Sequence, residues 1–461
     1  MNFLRRFQKS LLFLLKLVVF ASLFISFFVI FSIDYPWVLE LSRTTGVTML
    51  SFSVLIFLFT RVYGGYAIGV QKSKAIIYSL VTAVFLTDFI THVQLCIMLA
   101  NINGEKFVYA SPWLLFAVFS LQCALIIIFT YFGNFLYFKI NKPAKCCVIT
   151  AENYDPADLI KKIERYKKQY NITCVVKDTD RNVYDAIAAN DTIFFHEVPI
   201  ESRTLLIEYC YEQNKNIYYT LEMCDIVALS AKRTVLDDKS LMSFYVKELT
   251  FEQRLVKRTM DVFISLIALI VSGPVMAAIA IAIKLDDGGK VFFRQKRATK
   301  GGKIFEVYKF RTMREDNQVN KSVTKDDDRI TKIGAVLRKF RLDEIPQVFN
   351  ILNGDMSIVG PRPEMIENID KYTEELPEFR YRLRAKAGLT GLAQIAGKYN
   401  TSPKDKLILD LTYIEKYSLL SDISLMFRTI MVLFKSEEST EAFVAPSDKD
   451  ADSDKENPEE S

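Results

Sequence analysis

Four apolar runs crowd the first 140 residues, and they limit what this chain can become. They cover 11–33, 44–60, 75–100 and 112–137. Apart from the second, which is short, each is long enough to cross a hydrocarbon core of about 30 Å as a helix. Arg5, Arg6 and Lys9 precede the first run, and its length and lack of a small-residue cleavage site set it apart from a signal peptide. Lys16, near its start, can snorkel to the interface. Basic residues gather in two places: Arg61, Lys72 and Lys74 between the second and third runs, and Lys139, Lys142 and Lys145 after the fourth. The other two connections carry Arg43 and Lys106 alone. The positive-inside rule then puts both ends of a four-helix transmembrane bundle, 1–140, in the cytoplasm. Asp88 and His92 lie one turn apart on the third run, either as a functional pair or as interhelical polar contacts.

From 141 to 245 the pattern changes. Strand-like stretches at 146–150, 172–176, 192–195 and 217–220 alternate with helical ones at 156–170, 183–189 and 203–212. That is the text of a small Rossmann-like α/β domain. It lacks a nucleotide loop, because no glycine stands between Gly133 and Gly273. A spacer, dimerisation or regulatory module is the expectation. All seven cysteines end at Cys224 and none has metal-site spacing, so they read as reduced thiols of a cytoplasmic setting. The two histidines are His92 and His196, and His196, at a strand end, reads as structural. Beyond residue 250 there is neither histidine nor cysteine, so any catalyst there uses carboxylate, Lys, Arg, Tyr or Ser.

A fifth apolar run, 262–284, is long enough to span but holds Gly273-Pro274 at its centre and is basic on both flanks: Lys257 and Arg258 before, Lys284, Lys290 and Arg294 after. A broken, re-entrant helix that enters and leaves by one face satisfies both flanks. The alternative is a Pro-kinked full span. Next comes VFFRQKRATKGGKIFEVYKFRTM, in which aromatic residues alternate with Arg294, Arg297, Lys303, Lys309 and Arg311. It reads either as a solvated hairpin or as a cradle for phosphates. Asp326, Asp327 and Asp328 precede a helical stretch, 333–340, which delivers Arg338 to the most informative text, RKFRLDEIPQVFNILNGDMSIVGPRP. Here Asp343 and Glu344 stand just before an apolar run that Pro346 opens and Asn353-Gly354 closes. An acidic pair at a helix start can be merely a cap. With Arg338, Arg341 and Arg362 beside it, the pair suggests phosphoryl chemistry with a divalent metal. The last stretch, 437–461, is acidic and reads as a disordered tail.

The region 251–436 resembles the bacterial sugar transferases, the polyprenyl-phosphate hexose-1-phosphate transferases also called monotopic phosphoglycosyl transferases. The resemblance rests on KRTMDVFISL, VFFRQKR, YKFRTM, DDDRITKIGAVLRKFRLDEIPQVFN, GDMSIVGPRPEM and GLTGLAQIAGKYN, in that order. Four upstream spans and a Rossmann-like domain resemble the long-form members that start exopolysaccharide or capsule synthesis. The resemblance implies an integral protein of the bacterial inner membrane, with a mostly helical cytoplasmic catalytic domain held at the bilayer by the re-entrant helix, and a homodimer. It implies that Asp343 attacks the β-phosphate of a UDP-sugar, that UMP leaves, and that undecaprenyl phosphate takes the phosphosugar from Asp343. Glu344 and Asp343 would bind Mg²⁺; Lys309, Arg311, Arg338 and Arg362 would bind phosphates. Membrane lipid is an expected partner and nucleic acid is not. Departures fall at Gly273, Thr299, Ala387-Gly388 and Gly391-Leu392, the last two in a loop that would place the nucleotide or sugar. Two other readings stay open: a UDP-sugar glycosyltransferase that releases UDP, and a non-enzymatic scaffold of polysaccharide assembly.

Overall fold

The computed structural model describes residues 8–40, 42–104, 108–246, 248–314, 329–397 and 401–433. The Asp326–Asp328 run and the acidic tail lie outside the described residues. The chain divides into two compact units, Met1–Leu221 and Glu222–Ser461.

The first unit begins with four long helices: α1 (Gln8–Phe31), α2 (Arg43–Val62), α3 (Ser73–Asn103) and α4 (Pro112–Ile140). α1 packs on α4, α4 on α3, and α3 on α2. Phenylalanines supply much of the contact: Phe27 stacks on Phe31 at 4.7 Å and meets Phe52 of α2 at 5.0 Å between ring centroids. Outward, Phe13, Phe57, Ile97 and Phe116 are each about 60% exposed or more, an apolar surface that only lipid would cover cheaply. Ser42 caps α2, its hydroxyl accepting from the Thr45 N–H at 3.1 Å.

Then come β1 (Ala144–Thr150), α5 (Ala157–Glu164), β2 (Tyr170–Lys177), α6 (Val183–Ala189), β3 (Thr192–His196), α7 (Ile200–Glu212) and β4 (Asn216–Tyr219). The four strands form one parallel sheet in the order β2-β1-β3-β4. Both faces are covered, which is why β1 reads as a continuous apolar run. Cys147, Ile149 and Phe195 pack with Ile187 of α6 and Leu206 of α7, while Cys146, Val148 and Phe194 pack with Ile163 of α5.

The second unit opens with α8 (Met223–Ser230) and a hairpin of β5 (Lys232–Leu236) and β6 (Lys239–Ser243). These elements precede residue 245, where the composition suggests a boundary, yet α8 groups with the second unit because it packs on a later helix, Pro403–Glu415. α9 (Phe251–Asp287) starts with a capping box, Thr250 with Gln253, and ends at Gly288 with φ 72°. Gly273-Pro274, where the sequence suggests a break, lies inside its 37 residues without ending the helix. Pro274 removes a single N–H donor, which allows a bend there without ending the helix. After α9 come the antiparallel pair β7 (Phe292–Ala298) and β8 (Ile304–Phe310), then α10 (Lys332–Lys339), α11 (Gln347–Asn353), β9 (Ser357–Val359), α12 (Ile366–Glu375), β10 (Gly388–Thr390), α13 (Leu392–Ala396), α14 (Pro403–Glu415) and α15 (Leu419–Leu433).

One core joins these pieces. Phe305 and Val307 of β8 pack with Ile351 of α11, Val359 of β9, Tyr413 of α14 and Leu425 of α15. A second cluster joins Met276, Ile279 and Ile283 of α9 to Phe310 and Leu337. The first turns of α9 are tied down by charge. Lys257 Nζ donates to Asp422 Oδ2 at 2.5 Å and to the Val359 carbonyl at 3.0 Å, and Tyr413 OH donates to Asp422 Oδ1 at 2.8 Å. Arg258 donates to the Ile351 and Leu352 carbonyls at 2.6 and 2.7 Å, satisfying the open C-terminus of α11.

Candidate active site

The strand β8 carries Lys309, and a side chain from α11 sets its free edge. Asn350 Oδ1 accepts from the Tyr308 N–H at 2.9 Å and Nδ2 donates to the Glu306 carbonyl at 2.6 Å. The amide thus replaces a neighbouring strand and fixes β8 against α11.

Asp343 and Glu344 arrive from the other direction. After α10 the backbone reverses at Arg341, a non-glycine residue with φ 54°, a conformation that tertiary packing must hold. A 3-10 turn, Leu342–Glu344, follows, and Pro346 caps α11. The acidic pair therefore sits in its own turn ahead of the helix, whereas the sequence suggested the helix start itself. α11 has only seven residues, so the positive field here comes from side chains.

Those side chains are specific. Glu344 Oε1 accepts from Lys309 Nζ and from Arg362 Nη2, both at 2.9 Å. Burial opposes ionisation of Glu344, but Arg362 and Lys309 outweigh it and hold the carboxyl well below the usual glutamate range. Glu344 in turn raises the Arg362 guanidinium above its ordinary value. Asp343 moves the other way. Burial pushes it up, the Glu344 charge adds to that, and Lys309 and Arg338 only partly offset it.

Arg338, on α10, donates from Nε to Thr312 Oγ1 at 2.9 Å and lies within electrostatic reach of Asp343. Arg362 is held by its backbone. Gly360 N–H donates to Thr390 O and Gly388 N–H to Pro361 O, each at 2.8 Å, and a Cβ on either glycine would collide with the facing main chain. Arg382 Nη2 donates to the Arg362 carbonyl at 2.9 Å and Arg297 Nη1 to the Pro363 carbonyl at 3.2 Å. Arg382 is itself buried against Asp410 at 2.8 Å.

Of the residues singled out in the sequence, Asp343, Glu344, Lys309, Arg338 and Arg362 converge. Arg311 is buried just beyond Lys309 on β8; its backbone N–H donates to the Val291 carbonyl at 2.9 Å, and its guanidinium lies beside Gly289. Gly273 and Pro274 lie within α9, far along the chain from the acidic turn. Asp88 is 1% exposed in α3 and lies close to Gln122 of α4. The sequence did not single out the supporting residues Asn350, Arg382, Asp410 and Asp422, nor a role for Arg297 on Pro363. Each acts on a segment far away in the chain, and no local pattern marks that.

The donor set fits one metal only in part. Among the described residues no three His, Cys, Asp or Glu side chains form a metal cluster. Two carboxylates suit Mg²⁺, which commonly takes one or two protein oxygens and completes its shell with phosphates and water. Asp343 and Glu344 are such a pair, with Glu344 Oε1 already engaged.

Fold and site define a chain with, among the described residues, five helices long and apolar enough to cross a membrane and a carboxylate pair ringed by cations. A model of the family described as bacterial sugar transferase matches residues 252–436. The chain is 40% identical over 183 residues to a UDP-N-acetylgalactosamine-undecaprenyl-phosphate N-acetylgalactosaminephosphotransferase of Aeromonas hydrophila, covering 39% of this chain and 43% of that protein. It is 38% identical over 197 residues to a UDP-glucose:undecaprenyl-phosphate glucose-1-phosphate transferase of Escherichia coli, covering 41% and 42%. It is 30% identical over 346 residues to the galactosyl transferase CpsE of Streptococcus agalactiae, covering 66% and 74%. The match thus spans under half the length of the first two relatives and about three quarters of the third. The chain belongs to the bacterial sugar transferase family and is membrane-associated.

Proposed function

We propose that the protein moves a sugar-1-phosphate from a UDP-sugar to undecaprenyl phosphate, releasing UMP, as a first step of exopolysaccharide or capsule synthesis. The observation that carries this reading is the unequal treatment of the two carboxylates. Glu344 is bound by two cations and held strongly ionised, which makes it a poor nucleophile. Asp343, half-buried and shifted upward, keeps a more basic oxygen beside the same cations. One Asp343 oxygen bonds to the β-phosphorus, and the bond from that phosphorus to the oxygen bridging to the α-phosphate breaks, so UMP leaves with the bridging oxygen. A phosphate oxygen of the lipid then bonds to the same phosphorus, and the Asp343 carboxylate is released. Neither step needs a histidine base, since carboxylate and phosphate are already ionised at neutral pH.

Lys309, Arg338 and Arg362 hold phosphate oxygens and stabilise the charge that gathers during transfer. When Mg²⁺ is bound, Asp343 and Glu344 would hold it, and it would neutralise the diphosphate and improve the leaving group. The names of the relatives support donor and acceptor: those from Aeromonas hydrophila and Escherichia coli are described as acting with UDP-sugars and undecaprenyl phosphate.

The membrane reading extends to α9. At about 1.5 Å per residue its 37 residues, laid straight, would measure about 55 Å, well beyond a hydrocarbon core. Its first turns bind Asp422 and Val359, its last turns pack on Phe310 and Leu337, and Ile270 and Val271 between them are 76% and 72% exposed. Both ends therefore serve one domain, which supports a helix that bends at Gly273-Pro274, entering the membrane from the cytoplasmic side and returning to it. The four-helix bundle, the Rossmann-like domain and a homodimer complete the proposal.

The test is the nucleotide product. Purified protein with UDP-sugars, Mg²⁺ and undecaprenyl phosphate should release UMP, and Asp343→Asn should not. Release of UDP would mean glycosyl transfer without phosphate and would remove the role given to Asp343.

A further inference from the structure

The walls of a cleft beside the acidic pair include Arg297, Lys309, Gln347 and Arg362. Three of these are cations. Lys309 and Arg362 each give Glu344 one hydrogen bond and carry further N–H donors. Gln347 is the neutral member. Only 4% of its surface is exposed, and its amide makes no hydrogen bond with any described protein group. Yet neither Oε1 nor Nε2 is sealed from solvent, so the little surface that remains faces the cleft it lines. A side-chain amide this deep is costly to leave unbonded. This one is open to what enters the cleft.

The backbone aims the amide at the reacting pair. Ile345 and Pro346 keep helical dihedrals between the acidic turn and α11. Gln347 therefore follows Glu344 by three residues and Asp343 by four, about one turn on and on the same face. Helical side chains lean toward the N-terminus, which tips the Gln347 amide back toward the carboxylates. The charges say what it bonds. A cleft with three cations collects phosphate oxygens, and these only accept. Oε1 offers them nothing, but Nε2 carries two N–H groups, and an amide tied to protein at neither end can present them. Such a donor adds direction without adding positive charge.

We propose that Gln347 is a catalytic residue whose Nε2 donates to a non-bridging oxygen of the phosphorus that Asp343 attacks. This rests on the phosphosugar transfer proposed above and adds a neutral donor to it. Both steps pass through that phosphorus: Asp343 bonds to it as UMP leaves, and the lipid phosphate bonds to it as Asp343 leaves. Gln347 therefore serves both steps, whereas a residue that reads the nucleotide serves only the first.

The test times the two steps separately on the full-length protein in detergent. UDP-glucose and UDP-N-acetylgalactosamine, the donors in the relatives' names, are each mixed with Mg²⁺ and the wild type, and the one that labels Asp343 is used. UMP release without lipid times the first step; loss of the adduct on adding undecaprenyl phosphate times the second. Gln347→Met removes both polar ends of the amide at similar volume, and Gln347→Glu keeps acceptors only. The expected result with Met is a fall of about 10²-fold in both steps, with the donor KM within about threefold of the wild type. Glu should lose at least as much, and both variants should unfold at the wild-type temperature. Wild-type rates with Met would overturn the proposal. So would a loss with Met that Glu restores, which gives the role to Oε1, or a loss in the first step alone, which gives it to the nucleotide. Early unfolding of both variants would make Gln347 structural and overturn it too. No adduct on the wild type from either donor, or release of UDP, would overturn phosphosugar transfer itself and this proposal with it.

Discussion

Glu344 accepts from Lys309 and Arg362 at 2.9 Å each, while its neighbour Asp343 is pushed toward the neutral form by burial and by Glu344 itself. Two predictions belong to these side chains. Glu344→Gln keeps the shape but removes the charge, leaving two cations facing each other. Donor kcat/KM should fall about 10²–10³-fold, as for loss of one preorganised electrostatic partner, while the circular dichroism spectrum stays that of the wild type. The second concerns pH. Asp343 acts ionised and its folded value is raised, so the rate of UMP release should fall as pH drops through that raised value, above the usual aspartate range. Lys309 lowers the Asp343 value, so Lys309→Met should move this acid limb to higher pH in a pH-rate profile; a limb that stays in place would separate it from Asp343. Glu344 has the opposite sign: its value is depressed, so its contribution to stability is present above the usual glutamate range and is lost as pH falls below it.

At the scale of elements, Asn350 and Lys257 join pieces that the chain keeps far apart. Asn350→Leu would leave the Tyr308 N–H and Glu306 carbonyl of β8 without the partner they now have, at about 1–3 kcal/mol each. Thermal unfolding in detergent should show the loss, and activity should fall with it because Lys309 rides on the same strand. Lys257→Met would leave the buried Asp422 carboxylate uncompensated, a change that costs about 3–5 kcal/mol when one partner of a buried pair is removed; Lys257→Met with Asp422→Leu should recover part of it in the same melt. These elements also show what a sequence can and cannot reveal. The long apolar helices and the alternation from Ala144 to Tyr219 were legible because period and composition are local signals. Glu344 with Lys309 and Arg362 was legible because charged residues crowd a few short segments. Asn350 sits inside an apolar helix with nothing to mark it, and the αL turn at Arg341 falls on a residue type that seldom takes it. Gly273-Pro274 is legible as an irregularity, but how far α9 continues through it is not, because one proline removes a single N–H and can bend a helix without ending it.

For the whole molecule, the placement of α9 makes a topological claim. Glu248 and Lys290 flank it and are exposed. In a Cys224→Ser background, Glu248→Cys and Lys290→Cys should both react with an impermeant thiol reagent in inside-out vesicles and neither should react in right-side-out ones. Reaction from opposite sides would mean a full span. The division of the chain into two units was less legible than its helices. α8 and the β5–β6 hairpin continue the α/β alternation on paper but group with the second unit. The central claim concerns one bond, between Asp343 and a phosphosugar. The direct measurement is mass spectrometry of the protein incubated with its UDP-sugar and Mg²⁺ in the absence of lipid acceptor. One sugar phosphate on the peptide containing Asp343, lost on adding undecaprenyl phosphate and absent from Asp343→Asn, is the predicted result. UMP release that requires the lipid and leaves no adduct, or an adduct on another residue, would contradict it.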